Sequence, residues 1–166
     1  VEYRILINDY GYSEYIDDAF FLDGLCAFRM THRAERDQTY TYEALTKIRR
    51  FMQLFPNSPR RPEAEAVLER IHDLLGRKAY LNARLYFRRG HYRAAGVYLD
   101  KIVREFPATV WAARSWYYLG FVREQRGEKD SGAEAYSAAV SSPFEFPEKQ
   151  RAAARLRELS KEIPRG

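Results

Sequence analysis

The side chains best placed for chemistry are His32, Glu35 and Asp37, in the run His32-Arg33-Ala34-Glu35-Arg36-Asp37-Gln38. Imidazole and carboxylates are metal ligands, but a helical zinc site needs two histidines four residues apart, so that both project from one face. This segment has one histidine and reads as a loop, so no metal is expected. Cys26 and His32 could in principle serve as nucleophile and base. Six residues apart on one helix, they differ by about 240° in azimuth at ~100° per residue. Cys26, within Leu25-Cys26-Ala27-Phe28, reads as a core thiol, and His32, His72 and His91 as solvent-facing residues. There is no phosphate-binding loop, dinucleotide fingerprint or nucleophile elbow. The expectation is a non-catalytic protein without a cofactor.

At 166 residues, with 46% hydrophobic and 15% aromatic content, the chain can bury a substantial core without staples. Lys and Arg total 28 against 23 Asp and Glu, a net charge of +5 spread along the sequence without a single block. Such a spread reads as a solvated surface. One cysteine excludes an intrachain disulfide and a zinc site of the paired-cysteine type. Apolar stretches such as 19–22 fall far short of the ~20 residues a spanning helix requires. The sequence starts at Val1 within a periodic run, which we read as a piece of a longer protein.

Breakers recur at Gly11, Pro56 and Pro107, with Gly90 and Gly127 between them and Pro143 and Pro147 near the end. Two residues after three of them stand Ser13, Ser58 and Thr109, where hydroxyls can cap a starting helix. Between breakers the apolar residues follow helical spacing, and strand-like alternation is absent. The pattern predicts helices over 1–9, 14–33, 39–55, 60–89, 91–105, 110–126, 130–141 and 147–162.

The helices repeat. Ala95, Leu99, Ile102 and Pro107 have the spacing of Ala44, Ile48, Phe51 and Pro56, and Gly132, Tyr136 and Ala139 restate it. On the other helix of each pair, Trp116-x2-Leu119-Gly120 and Ala83-x2-Tyr86 resemble parts of the tetratricopeptide consensus. Small residues at Ala83 and Gly120 would let the second helix approach, and Gly90 and Gly127 would end first helices in the left-handed conformation. Arg123 departs from the pattern, standing where the motif has an aromatic. The implied fold is all-α: a tetratricopeptide-like right-handed superhelix of antiparallel helix pairs in one domain, residues 1–166. Its parts would be the tail of an upstream repeat (1–12), repeats over 13–57, 58–108 and 109–146, and a capping helix over 147–166.

These repeats are longer than the consensus. Arg36-Asp37-Gln38, Phe55-Pro56-Asn57-Ser58 and Tyr86-Phe87-x2-Gly90-x-Tyr92 carry a resemblance to the BamD family, outer-membrane lipoproteins of the β-barrel assembly machinery. The resemblance covers nearly the whole chain and aligns it with the later repeats of a five-repeat protein. It implies a periplasmic scaffold on the outer membrane of a Gram-negative bacterium. The implied partners are the periplasmic domains of the barrel subunit BamA, other lipoproteins of the machinery and unfolded outer-membrane proteins. It also implies a lipidated cysteine before Val1 as the link to the membrane, and no nucleic-acid partner. Two alternatives stay open: another exported adaptor, of the cell-division type that contacts the Tol system, and an RNA-binding helical repeat.

In tetratricopeptide arrays the first helix of each pair lines the concave groove. Counting from Gly76 and Ala113, the groove positions are Arg77, Tyr80, Arg84 and Phe87, then Arg114, Tyr117, Phe121 and Glu124. That set is basic and aromatic and suits an acidic segment or a peptide carboxylate. The alternative is that Tyr117 and Phe121 pack inside and the arginines are merely solvated. The last stretch places Ala152, Leu156, Leu159 and Ile163 on one helix side, as a cap for the exposed end of the array would require.

Overall fold

The computed structural model describes residues 2–9 and 11–162. They form eight helices: α1 (Glu2–Asp9), α2 (Ile16–Arg29), α3 (Thr39–Leu54), α4 (Arg61–Arg88), α5 (Tyr92–Glu105), α6 (Val110–Gln125), α7 (Lys129–Ser141) and α8 (Lys149–Glu162). Among the described residues there is no strand. Ile163 of the expected capping stripe lies outside them. The helices group into two compact units, Val1–Leu75 and Gly76–Gly166, which share α4 between them.

In the first unit, α2 and α3 pair through small residues facing large ones. A Cβ on Gly24 would stand 2.8 Å from Ile48 Cδ1 and 3.1 Å from its Cγ1, so a larger residue there would force the Ile48 side chain to shift. Phe21 packs against Phe51 with ring centroids 5.6 Å apart, and Ala44, Ile48 and Phe51 are wholly buried. Ala64, Val67 and Ile71 add the buried face of the first half of α4. Lys47 reaches Asp23 at 3.0 Å and Glu43 at 2.8 Å, and Arg4 of α1 joins the same two carboxylates.

The helix starts differ from the expected caps at two of three places. Thr109 is a true cap: its Oγ1 accepts the Ala112 N–H at 3.3 Å and donates to the Phe106 carbonyl at 2.8 Å. Ser13 instead accepts the Tyr15 N–H, and α2 begins only at Ile16. Ser58 accepts the Arg60 N–H and donates to Asp17 at 2.6 Å, joining the turn before α4 to the start of α2. At both places an extra turn intervenes before the helix, so the hydroxyl organises the turn.

Cys26 is also corrected, because it is exposed. Phe21, Gly24 and Ala27 make the buried stripe of α2, and Cys26 falls beside it despite its apolar neighbours. α2 ends at Arg29, four residues before the expected boundary.

In the second unit the remainder of α4 folds back through Gly90 onto α5. Gly90 and Gly127 have φ of 77° and 79°, in the left-handed region that residues with a Cβ rarely adopt. Ala83, Ala95, Leu99 and Ile102 are buried, and Tyr86 stacks on Tyr98 at 5.2 Å with an interplanar angle of 11°. Leu119, Tyr136 and Ala139 are likewise buried where α6 meets α7, with Trp116 partly buried against them. Pro56 and Pro107 are exposed, so they act as punctuation and not as packing. Arg123, at the aromatic position, lies over Trp116 at 5.8 Å and donates to the Ser131 carbonyl, filling the site with its planar group.

Ala95 is fully enclosed. Ala95→Leu is therefore expected to overpack the hairpin and cost about 1–3 kcal/mol. An unchanged urea midpoint would refute that contact.

Candidate partner-binding surface

The groove positions share the second unit but divide by surroundings. Arg77 and Arg84 lie over aromatic faces, Arg77 6.0 Å from Trp111 and Arg84 5.8 Å from Tyr118. A guanidinium lying over a ring is oriented by that contact. Phe87 meets Tyr118, Phe121 and Tyr92 edge to face at 4.8, 5.2 and 5.2 Å. Phe87, Tyr117 and Phe121 are half-buried. Each therefore packs and still presents part of its ring, between the groove reading and the packing alternative.

Tyr80, Arg114 and Glu124 are built into the interior, which corrects their placement on a free surface. Tyr80 is 1% exposed, packed against Trp111 at 5.3 Å and beneath the Arg114 guanidinium at 4.8 Å. Its hydroxyl is buried without a hydrogen-bond partner, and burial pushes that phenol well above the usual tyrosine value. Arg114 donates to both Glu148 oxygens, at 2.7 and 3.0 Å, in a forked pair. Tyr118 donates its O–H to the same carboxylate at 3.1 Å. Burial alone would raise the Glu148 carboxyl, but the Arg114 bonds and charge and the Tyr118 bond outweigh it and hold Glu148 below the usual glutamate value. Glu124 accepts from the Tyr136 hydroxyl at 2.7 Å and from Arg155 Nε at 2.8 Å. Burial and that acceptor both push the Tyr136 phenol upward.

Glu148, Tyr118 and Arg155 were not singled out in the sequence. Glu148 lies between Pro147 and the first residue of α8, and nothing local marks it, because its partner stands 34 residues earlier. The usable signal was Arg114 itself, an arginine on a helix otherwise rich in buried residues, which needs an acid from elsewhere.

Of the loop residues near His32, Asp37 accepts the Thr39 N–H at 3.2 Å at the start of α3, and the Thr39 hydrogen bonds hold its carboxyl below the usual aspartate value. Among the described residues no three His, Cys, Asp or Glu side chains converge as a metal site would need. His91 is exposed at the start of α5, and His72 is half-buried, its ring 3.3 Å from Arg49. Burial and the Arg49 charge push that imidazole below its usual value. No helix among the described residues is long and apolar enough to cross a membrane.

Comparison with known proteins bears on this arrangement. The family model YfiO, described as outer membrane lipoprotein, matches residues 4–138. The outer membrane protein assembly factor BamD of Caulobacter vibrioides is 31% identical over 77 residues, covering 46% of this chain and 25% of that protein. The factor of the same name from Neisseria meningitidis serogroup A is 27% identical over 118 residues, 71% of this chain and 43% of that protein. The chain thus spans less than half the length of the relatives it matches. With its elongated tetratricopeptide-type helix pairs and a family match over most of its residues, the chain belongs to the YfiO family of outer-membrane lipoproteins.

Proposed function

We propose that this chain is a non-catalytic scaffold on the periplasmic side of the outer membrane. In this reading its second unit docks the periplasmic domains of BamA, and it thereby aids the folding and insertion of outer-membrane proteins. The location follows from membership in an outer-membrane lipoprotein family. The observation that carries the docking surface is charge segregation. Between Asp73 and Asp100 the chain has no carboxylate, yet it contains Arg77, Lys78, Arg84, Arg88, Arg89 and Arg93. Arg88, Arg89 and Arg93 are exposed around the Gly90 turn. On the same two helices Leu81, Leu85, Val97 and Tyr98 are 37%, 39%, 67% and 36% exposed, unusual for large apolar side chains. Apolar area within a positive rim suits a protein partner with an acidic border, because steering and contact then favour the same face.

The test measures affinity between the chain and purified BamA periplasmic domains. Arg84→Glu combined with Arg88→Glu is expected to weaken binding by at least about tenfold, with the circular dichroism spectrum unchanged. Undiminished affinity would remove this surface from the docking site. Arg114 is unsuitable for this purpose, since reversing it would set a second acid beside Glu148.

A further inference from the structure

One carboxylate in the second unit reaches toward the face of α4 on which the docking reading rests. Glu148 stands in the segment between α7 and α8. Lys149 closes that segment into a turn, donating through Nζ to the Ser142 and Phe144 carbonyls at 2.9 and 3.0 Å. Phe146 of the same turn is buried with Ala113, Tyr136 and Leu159, and the Glu148 carbonyl accepts the Ala152 N–H at 2.9 Å. The backbone that carries the carboxylate is thus fixed on both sides.

From there the contacts run to α4. Tyr118 of α6 is 8% exposed and donates its hydroxyl to Glu148, while its ring meets Phe87 at 4.8 Å and the Arg84 guanidinium at 5.8 Å. Arg114, forked onto the same carboxylate, lies 4.8 Å over Tyr80. Arg84 is half-buried, and among the described residues no carboxylate pairs with it. The Tyr118 ring is therefore what orients this arginine. An acid beside Arg84 would neutralise it, whereas a ring orients a cation and leaves its charge to be met by a partner. A buried phenol that donates to a carboxylate is also a better seat for a cation, because hydrogen bonds polarise the groups that make them where water is excluded.

We propose that Glu148 is a positioning residue for docking: from the turn before α8 it fixes the Tyr118 ring, and through that ring it sets the Arg84 guanidinium where an acidic group of the partner meets it. This role rests on the docking reading above, and Glu148 itself needs no contact with the partner. Restricting a long side chain before contact lowers the ordering cost of binding, so a carboxylate in the interior of the unit contributes to affinity at its surface.

The test is a set of single and double variants of the full chain, each shown to be folded by circular dichroism, whose affinity for purified BamA periplasmic domains is measured. Glu148→Gln keeps the shape of the side chain and removes its charge; Tyr118→Phe keeps the ring and removes its hydroxyl. Each is expected to weaken binding about three- to tenfold, the cost of ordering one long side chain anew. In the Arg84→Ala background neither is expected to weaken it further, because the group they position is gone. Equal losses with and without Arg84 would overturn the proposal, since a loss of stability alone moves both backgrounds alike. The Arg84 Nε–H resonance, identified by its absence in Arg84→Ala, reports the same arrangement without a partner. It is expected to shift in Glu148→Gln and Tyr118→Phe toward the position of the exposed Arg93, and an unmoved resonance would also overturn the proposal. A resonance that moves while Arg84→Ala binds as tightly as the wild type would refute the docking reading itself, and this role with it, so the two failures are told apart.

Discussion

Replacing Glu148 by Ala is expected to destabilise the second unit by about 3 kcal/mol, because removing one partner of a largely buried ion pair leaves the other charge uncompensated. Glu148 is 8% exposed at its side chain and Arg114 17%, so water replaces little of what is lost. The change removes both Arg114 bonds and the acceptor of the Tyr118 hydroxyl. Glu148→Gln, which keeps an acceptor but not the charge, should fall between. The pair also has a pH signature. The folded carboxyl lies below its ordinary value, so the unfolded chain takes up its proton first as pH falls. The pair's contribution is then full above the ordinary glutamate pKa of about 4.3 and is lost as pH drops through the lower folded value. Urea unfolding at pH 7 and pH 3 tests both statements. The gap between wild type and Glu148→Ala should narrow in acid; an equal gap at both values would mean that the loss comes from packing alone.

Gly120→Val is the second large effect. A Cβ at Gly120 would stand 2.6–2.8 Å from three atoms of the Tyr136 ring. The ring is 2% exposed and fixed at its far end by Glu124, so it cannot swing aside without breaking that bond. Overpacking and a lost buried hydrogen bond together cost about 3 kcal/mol. That is a fall in melting temperature of roughly 6–12 °C for a chain of this size. Adding Tyr136→Leu should return part of the loss, since the clash is with this ring. A melting curve equal to wild type, or no recovery in the double variant, would contradict the contact.

The repeat architecture was legible because it depends on local rules. Helical periodicity, small residues at fixed spacing, and glycines at the two positive-φ turns each act within a few residues. The expected helices accordingly fall within about two residues of the observed ends almost everywhere. α2 is the exception: Met30 to Arg33 have no strong breaker, and α2 stops there while Ala34 and Gln38 hold the chain in a loop. At Cys26 the apolar sequence neighbours suggest a core position, but burial on a helix follows azimuth and leaves the thiol exposed. The groove arithmetic counts positions on one helix and is blind to contacts from other elements. It does not separate surface from interior, because Glu148, just before α8, and Arg155, within it, stand more than 30 residues from their partners Arg114 and Glu124.

The last helix has one further property. Of the fourteen residues of α8, Ala152 and Leu159 are the two fully buried, and much of its attachment runs through Arg155 with Glu124, Lys129 with Glu162 and the Glu148–Arg114 pair at its base. Apolar burial weakens little with salt, but partly exposed ion pairs are screened. Through the partly exposed Arg155 and Lys129 pairs the fastening of α8 thus weakens with ionic strength, while the buried Glu148–Arg114 pair at its base and the apolar contacts of the neighbouring hairpins hold. When α8 lifts, the apolar side chains around Ala113 and Ala139 lose their cover. In a repeat protein such a face is the shape that a neighbouring helix fills, so the uncovered side chains become, in effect, an open socket for another helix.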